Sequence, residues 1–183
     1  GLAVANGFGI TAIVDAAVDA DGLATWRTLE SDGRLTARIV TSIDTSGGLE
    51  ASGALGLLDP ASRGSAALVR ADAAKIFVDG VLEGETAALL EPYDGRDGAT
   101  GTLNQSWEDL RDLVVALDAR NIQVHMHAIG DRAVREGLDA IEAARAANGP
   151  RDNRHHISQL QLVHPDDYPR FGRLDAAANG QAR

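Results

Sequence analysis

The feature that most constrains this chain is an alternation. Short runs of apolar and β-branched residues take turns with stretches of helical periodicity. Such a rhythm predicts βα units, and strands joined through helices run parallel, because a parallel connection needs a crossover of a dozen or more residues. Ile10 to Asp15 reads as a first strand, and a helix follows from about Asp21 with Leu23, Trp26 and Leu29 on one stripe. Leu35 to Ile43 and Ala73 to Asp79 are the second and third strands. Ser106-Trp107-Glu108-Asp109 resembles a capping box, with aspartate in the usual Glu/Gln place. Leu110, Leu113, Val114 and Leu117 then form a helical stripe. Ile122 to Ala128 is the fourth strand, and Asp131 to Ala147 a helix closed by Asn148-Gly149-Pro150. His155 to Val163 alternates as a fifth strand, and His164-Pro165 opens a last helix. The first seven residues read as the last turn of a helix, and Ala176 to Gln181 as the approach to another strand. Two stretches resist the rhythm. Gly47 to Arg70 is loose, and Gly80 to Gln105 holds five glycines with little periodicity. A connection of that length predicts a lid or binding loop. The expected class is α/β, a run of right-handed βα units forming either part of a (β/α)8 barrel or an open doubly wound sheet.

Composition narrows the chemistry. At 183 residues the chain holds one domain's worth of material, and 44% hydrophobic residues suffice for a sizeable core. A net charge of −10 argues against nucleic acid or an anionic membrane as partner. No apolar run approaches the roughly 18–20 residues that span a bilayer, and no leader opens the chain, so a cytoplasmic location is expected. A small-molecule substrate and assembly with further copies of itself complete the expected partners. Without cysteine there is neither a disulfide nor a thiolate metal site, so any metal is held by His, carboxylate or a modified lysine.

The densest chemical signal is His125-Met126-His127-Ala128-Ile129-Gly130-Asp131. Side chains two apart on a strand share a face, so both imidazoles project together near the strand's carboxyl end. That end carries the chemistry in barrel enzymes. Metal ligation and plain backbone satisfaction both fit an isolated H-x-H. Lys75, Phe77 and Asp79 likewise share one face of their strand. A lysine and an aspartate on a strand buried on both sides form either an ion pair at its mouth or functional groups aimed into a site. On the fifth strand His155, Ile157, Gln159 and Gln161 fall on one face, with His156, Ser158 and Leu160 on the other. Asp131 and His164 sit where helix caps belong. Phosphate-cradling glycine motifs and a G-x-S-x-G elbow are absent.

Four blocks taken together carry a resemblance. They are Lys75-Ile76-Phe77-Val78-Asp79-Gly80-Val81-Leu82-Glu83, Thr86-Ala87-Ala88-Leu89-Leu90-Glu91-Pro92-Tyr93, His125 to Ala133, and Leu160-Gln161-Leu162-Val163-His164-Pro165-Asp166-Asp167. In this order they resemble amidohydrolase family 3, a branch of the metal-dependent amidohydrolase superfamily. The resemblance implies a (β/α)8 barrel and one or two divalent metals, commonly zinc, that activate water for hydrolysis, often of a C–N bond. It places Lys75, often carbamylated in such proteins, at the metal-bridging position of the barrel's fourth strand, and His127 at the ligand position of the fifth. These two are thereby the catalytic and metal residues. Asp79, Glu83 and His155 are assigned to substrate by position. The resemblance also implies that residues 1–183 form a single partial barrel domain, about strands 2 to 7, without the first-strand H-x-H, the last-strand aspartate or the accompanying β-sandwich. At the sixth strand Arg154-His155-His156-Ile157-Ser158-Gln159 departs from the family's pattern, with Gln159 where a ligand histidine is expected. A glutamine amide substitutes poorly for imidazole at zinc. His155 shares its face but lies four residues, about 13 Å, away. The competing reading is a truncated or degenerate barrel segment without catalysis, and a flavodoxin-like binding domain is a third.

Overall fold

A computed structural model describes residues 1–50, 53–63 and 65–181. Residues 51, 52 and 64, within the loose stretch after the second strand, and 182–183 at the end lie outside the described residues. Within the single domain expected from the sequence, the residues group into two compact units, 1–75 and 76–183.

The first unit opens with α1 (Leu2–Gly7), followed by β1 (Ala12–Val18), α2 (Ala20–Ser31), β2 (Arg38–Asp44), the short α3 (Ala54–Leu57) and a 3-10 turn at Pro60–Ser62. Its last strand, β3 (Val69–Phe77), carries the chain into the second unit. β2 pairs in parallel with both β1 and β3. The helical stripe of α2 behaves as its spacing dictates: Leu23 is buried, and Trp26 and Leu29 pack against the cluster of Val18, Ile39, Ile43 and Val69. Asp19 caps α2 by accepting from Gly22 N. β1 is the edge strand of this unit, and its Val14 is exposed together with Val4, Phe8 and Ile10. A bulge interrupts its register between Ala16 and Val18, where Ala17 takes the left-handed φ of 59°.

The second unit contains α4 (Trp107–Ala119), β4 (Gln123–Ala128), α5 (Asp131–Asn148), β5 (His156–Gln159), a 3-10 turn at Pro165–Asp167, α6 (Tyr168–Arg173) and β6 (Ala177–Gly180). β5 pairs in parallel with β4 and with β6. The expected stripe of α4 is buried at Leu110, Val114 and Leu117. Opposite it, α5 buries Ala133, Val134, Leu138 and Ile141. Gly137 lets α5 approach the sheet closely, since a Cβ there would crowd Met126 Sδ at 3.0 Å and Ile157 Cδ1 at 3.2 Å.

Two expected boundaries move for identifiable reasons. β3 begins at Val69 rather than Ala73, because Asp72 interrupts the apolar run without interrupting the strand: ion pairs with Arg63 and Arg70 hold its buried carboxylate. β5 ends at Gln159 rather than Val163, because Gln159 (φ 76°) and Leu160 (φ 52°) both turn left-handed and leave extended geometry. No helix among the described residues is long and apolar enough to cross a membrane.

Candidate functional site

Lys75 stands near the carboxyl end of β3 and belongs to the first unit. Its side chain is 3% exposed, and its Cα is in register with Asp44, the last residue of β2. Burial lowers its pKa to about 8, while the negative charge of Asp44 opposes the drop. The Lys75 carbonyl accepts from Thr45 N at 3.1 Å and Thr45 Oγ1 at 2.6 Å, which fixes the strand end beneath the amine. A cleft of about 480 Å³ opens at the carboxyl ends of β1 and β2, lined by Val18, Asp19, Asp21, Asp44 and Ser46.

In the second unit His127 projects near the carboxyl end of β4, where Val78 N donates to its carbonyl at 3.0 Å. The ring of Phe77 lies against it, centroids 5.5 Å apart. His127 Nε2 meets the carbonyl of Gly80 at 2.9 Å. A carbonyl only accepts, so Nε2 is the donor, and in the neutral ring Nδ1 then holds the lone pair. Asp79 is 2% exposed, and its carboxylate accepts from three backbone amides: Ile129 N at 3.0 Å, and Gly130 N and Ala88 N at 2.9 Å each. Burial raises its pKa, with the amide bonds and the neighbouring His127 pulling the other way. The distance from Asp79 Oδ1 to His127 Nε2, 3.8 Å, is too long for a hydrogen bond. Asp79 therefore spends its acceptors on backbone. Glu83 lies exposed on the following loop.

That loop is more ordered than its composition predicts. Asn104 Nδ2 donates to the carbonyls of Phe77 and Asp79, and Asn104 N to Val78, so the loop's far end returns to the strand from which it left. The middle is tied to α5: Ala88 O accepts from Arg132 and Ala133, and Leu90 N donates to Asp131 Oδ1. Asp131, expected as the helix cap, is instead the first residue of α5 after its N-cap Gly130, and its carboxylate holds the loop.

His155 occupies a different place from the one its alternation suggests. It precedes β5 at the amino end of the sheet, 6% exposed, where Nδ1 accepts from Val124 N at 3.0 Å and Nε2 meets Asp118 Oδ1 at 3.0 Å. Asp118 also accepts from Asn148 and Asn153. Burial raises the pKa of its carboxyl, but the hydrogen bonds from Asn148, Asn153 and His155 outweigh this and hold it below the ordinary value. Register keeps the two groups of β5 residues read from the sequence, but it is the group of His156 and Ser158, not that of Gln159, that shares the side of His125 and His127. Ser158 pairs with His127 and His156 with His125, so these share the imidazole face. The His125 and His156 rings lie 4.1 Å apart. Ser158 Oγ donates to Met126 O at 2.8 Å and lies 3.1 Å from His125 Nε2. Gln159, at the expected ligand position, pairs in register with Ala128. Among the described residues no three His, Asp or Glu side chains converge to hold a metal ion. The divalent metal implied by the resemblance therefore finds no closed donor set in these residues.

Comparison with known proteins supplies the family. The amidohydrolase family model matches residues 1–183. The Arabidopsis thaliana protein LONG AFTER FAR-RED 3 is 37% identical over 107 residues, 58% of this chain and 18% of the relative. The putative amidohydrolase YtcJ of Bacillus subtilis is 39% identical over 88 residues, 48% of this chain and 17% of the relative. The matched segments thus amount to about a fifth of these relatives' length. An uncharacterized metal-dependent hydrolase of Pyrococcus furiosus superimposes on 98% of this chain with a TM-score of 0.81 and 26% identity, over 36% of its own length. A second one, from Pyrococcus horikoshii, gives 0.82 at 23% identity, a likeness of fold. These neighbours agree with the partial α/β barrel expected from the sequence. With a family match running from the first residue to the last, the chain belongs to the amidohydrolase family.

Proposed function

We propose that this chain forms part of the catalytic barrel of a metal-dependent hydrolase that cleaves C–N bonds of a small amide-type substrate in the cytoplasm. The observation that carries the reading is His127, an imidazole near the carboxyl end of a parallel strand, with Nε2 committed to Gly80 and Nδ1 left as a donor. Lys75, buried in the first unit with its pKa lowered to about 8, is proposed as a ligand on the resemblance alone, and zinc as the ion. Bound there, a divalent ion would acidify water and polarise the scissile carbonyl. Tight zinc sites supply three or four protein donors. The reading therefore requires donors besides these two. A second reading, a barrel segment without catalysis, is favoured by the lack of a three-donor cluster among the described residues and by Gln159 at the sixth-strand position.

The test compares the purified chain with His127→Ala after loading with zinc and removal of the excess. Retained zinc in the parent, lost in the variant, together with hydrolysis of N-acyl substrates, supports the hydrolase. Zinc near zero in both, with no hydrolysis, establishes the second reading.

A further inference from the structure

Asp79 is a buried carboxylate whose acceptors serve three amides from two separate segments. Ala88 N comes from the Gly80–Gln105 loop, and Ile129 and Gly130 N from the turn between β4 and α5. The same segments grip each other independently of Asp79. Ala88 O accepts from the first turn of α5, and a Cβ at Gly130 would collide with the Ala88 carbonyl, so the approach is as close as backbones allow. The next residue in the chain is Gly80, whose carbonyl meets His127 Nε2 and whose amide donates to Thr86 O at 3.2 Å. The carboxylate that anchors the loop is thus one peptide unit from the acceptor that sets the imidazole's proton.

We propose that Asp79 is a positioning residue: by clamping Ala88, Ile129 and Gly130 it fixes the Gly80 carbonyl and thereby the tautomer and aim of His127, without touching substrate. The geometry requires that order of action, because Asp79 is 3.8 Å from His127 Nε2 while the Gly80 carbonyl is 2.9 Å from it. Three amide donors also explain why the buried carboxylate needs no cationic side chain within hydrogen-bond reach. The inference rests on the hydrolase reading only for the use made of Nδ1. The tautomer itself stands on geometry.

The test is imidazole ¹⁵N NMR at one fixed, neutral pH, with amide hydrogen exchange, on the full chain. The parent is expected to show His127 as the Nε2–H tautomer. The opposite tautomer overturns the proposal before any variant is made. In Asp79→Asn an NH2 group replaces one carboxylate oxygen and cannot accept, so either Ile129 N or the pair Ala88 N and Gly130 N loses its acceptor. The His127 nitrogen shifts then move toward a mixture of tautomers, and exchange at the stranded amide or amides accelerates by about tenfold or more. Asp131→Ala is the control. It frees Leu90 N and loosens the loop, yet leaves the His127 shifts in place. Faster exchange in Asp79→Asn with unchanged His127 shifts shows a merely structural aspartate and overturns the inference. Should Asp79→Asn fail to fold, Gly130→Ala, which pushes Ala88 away and leaves the carboxylate intact, must shift the His127 signals for the proposal to survive. Zinc addition separates the two readings. Absence of any response at His127 removes the hydrolase reading while leaving the tautomer result untouched.

Discussion

Two of the buried aspartates of the second unit, Asp118 and Asp79, each lie close to a histidine, at opposite ends of β4. At the amino end, Asp118 is satisfied by side chains, and both nitrogens of His155 are occupied. At the carboxyl end, Asp79 is satisfied by backbone amides alone, and His127 has one nitrogen engaged. The pairs look alike in composition and differ in what they leave over. A histidine with two fixed partners is a clamp. One with a single fixed partner keeps a lone pair for something else. The contrast separates a joint from a working part, although either histidine alone reads as a candidate.

The largest expected effect breaks the clamp. Asp118→Ala strands the donors of Asn148, Asn153 and His155 in a buried site, and urea unfolding should register a loss of roughly 3–5 kcal/mol. A loss near zero would mean the amino end is no clamp. The pH dependence has a definite sign. Because the folded-state pKa of Asp118 is lowered, its contribution is full above the ordinary value of 3.8 and fades as pH falls below it toward the folded value. The stability gap between the parent and Asp118→Asn should therefore narrow as pH falls below 3.8.

Next in size is a gain. Lys75, near the carboxyl end of β3, is held buried with its pKa lowered from 10.5 to about 8. Below about 8 both folded and unfolded chains carry the proton, and the burial penalty is full. Between 8 and 10.5 only the unfolded chain keeps it, and the penalty fades. Lys75→Met should stabilise by about 3 kcal/mol at neutral pH. That advantage should vanish above 10.5; one that persists there would trace to packing instead. Two smaller substitutions sharpen the comparison directly. His155→Gln should cost about 2 kcal/mol, with zinc retention unchanged. His127→Gln should cost about 1 kcal/mol or less, yet abolish retention. Equal effects on stability and metal from both would erase the distinction between the two ends.

The parts of this arrangement legible in the sequence are those written in side-chain periodicity. The parallel βα rhythm, the stripes of α2 and α4, and the strand positions of Lys75 and His127 follow from it, whereas Asp79, expected on the third strand, lies two residues beyond its end. His155 falls outside the reach of alternation because β5 begins one residue later, at His156, and only the register with His125 and His127 shows which side of the strand they share. The Gly80–Gln105 connection reads as a lid because each of its ties has a backbone amide or carbonyl on at least one side, and a carbonyl such as Gly80 O has no sequence signature. Asp118 carries a signal that was missed. It falls four residues after Val114, on the buried stripe of α4, where a solitary carboxylate demands partners.

Val4, Phe8, Ile10 and Val14 are exposed apolar side chains on and just before β1, the outer strand of the first unit, with Phe8 81% exposed. A strand side of this kind accommodates a further strand or a second apolar surface readily, and a lysine in place of Val14 would oppose that docking.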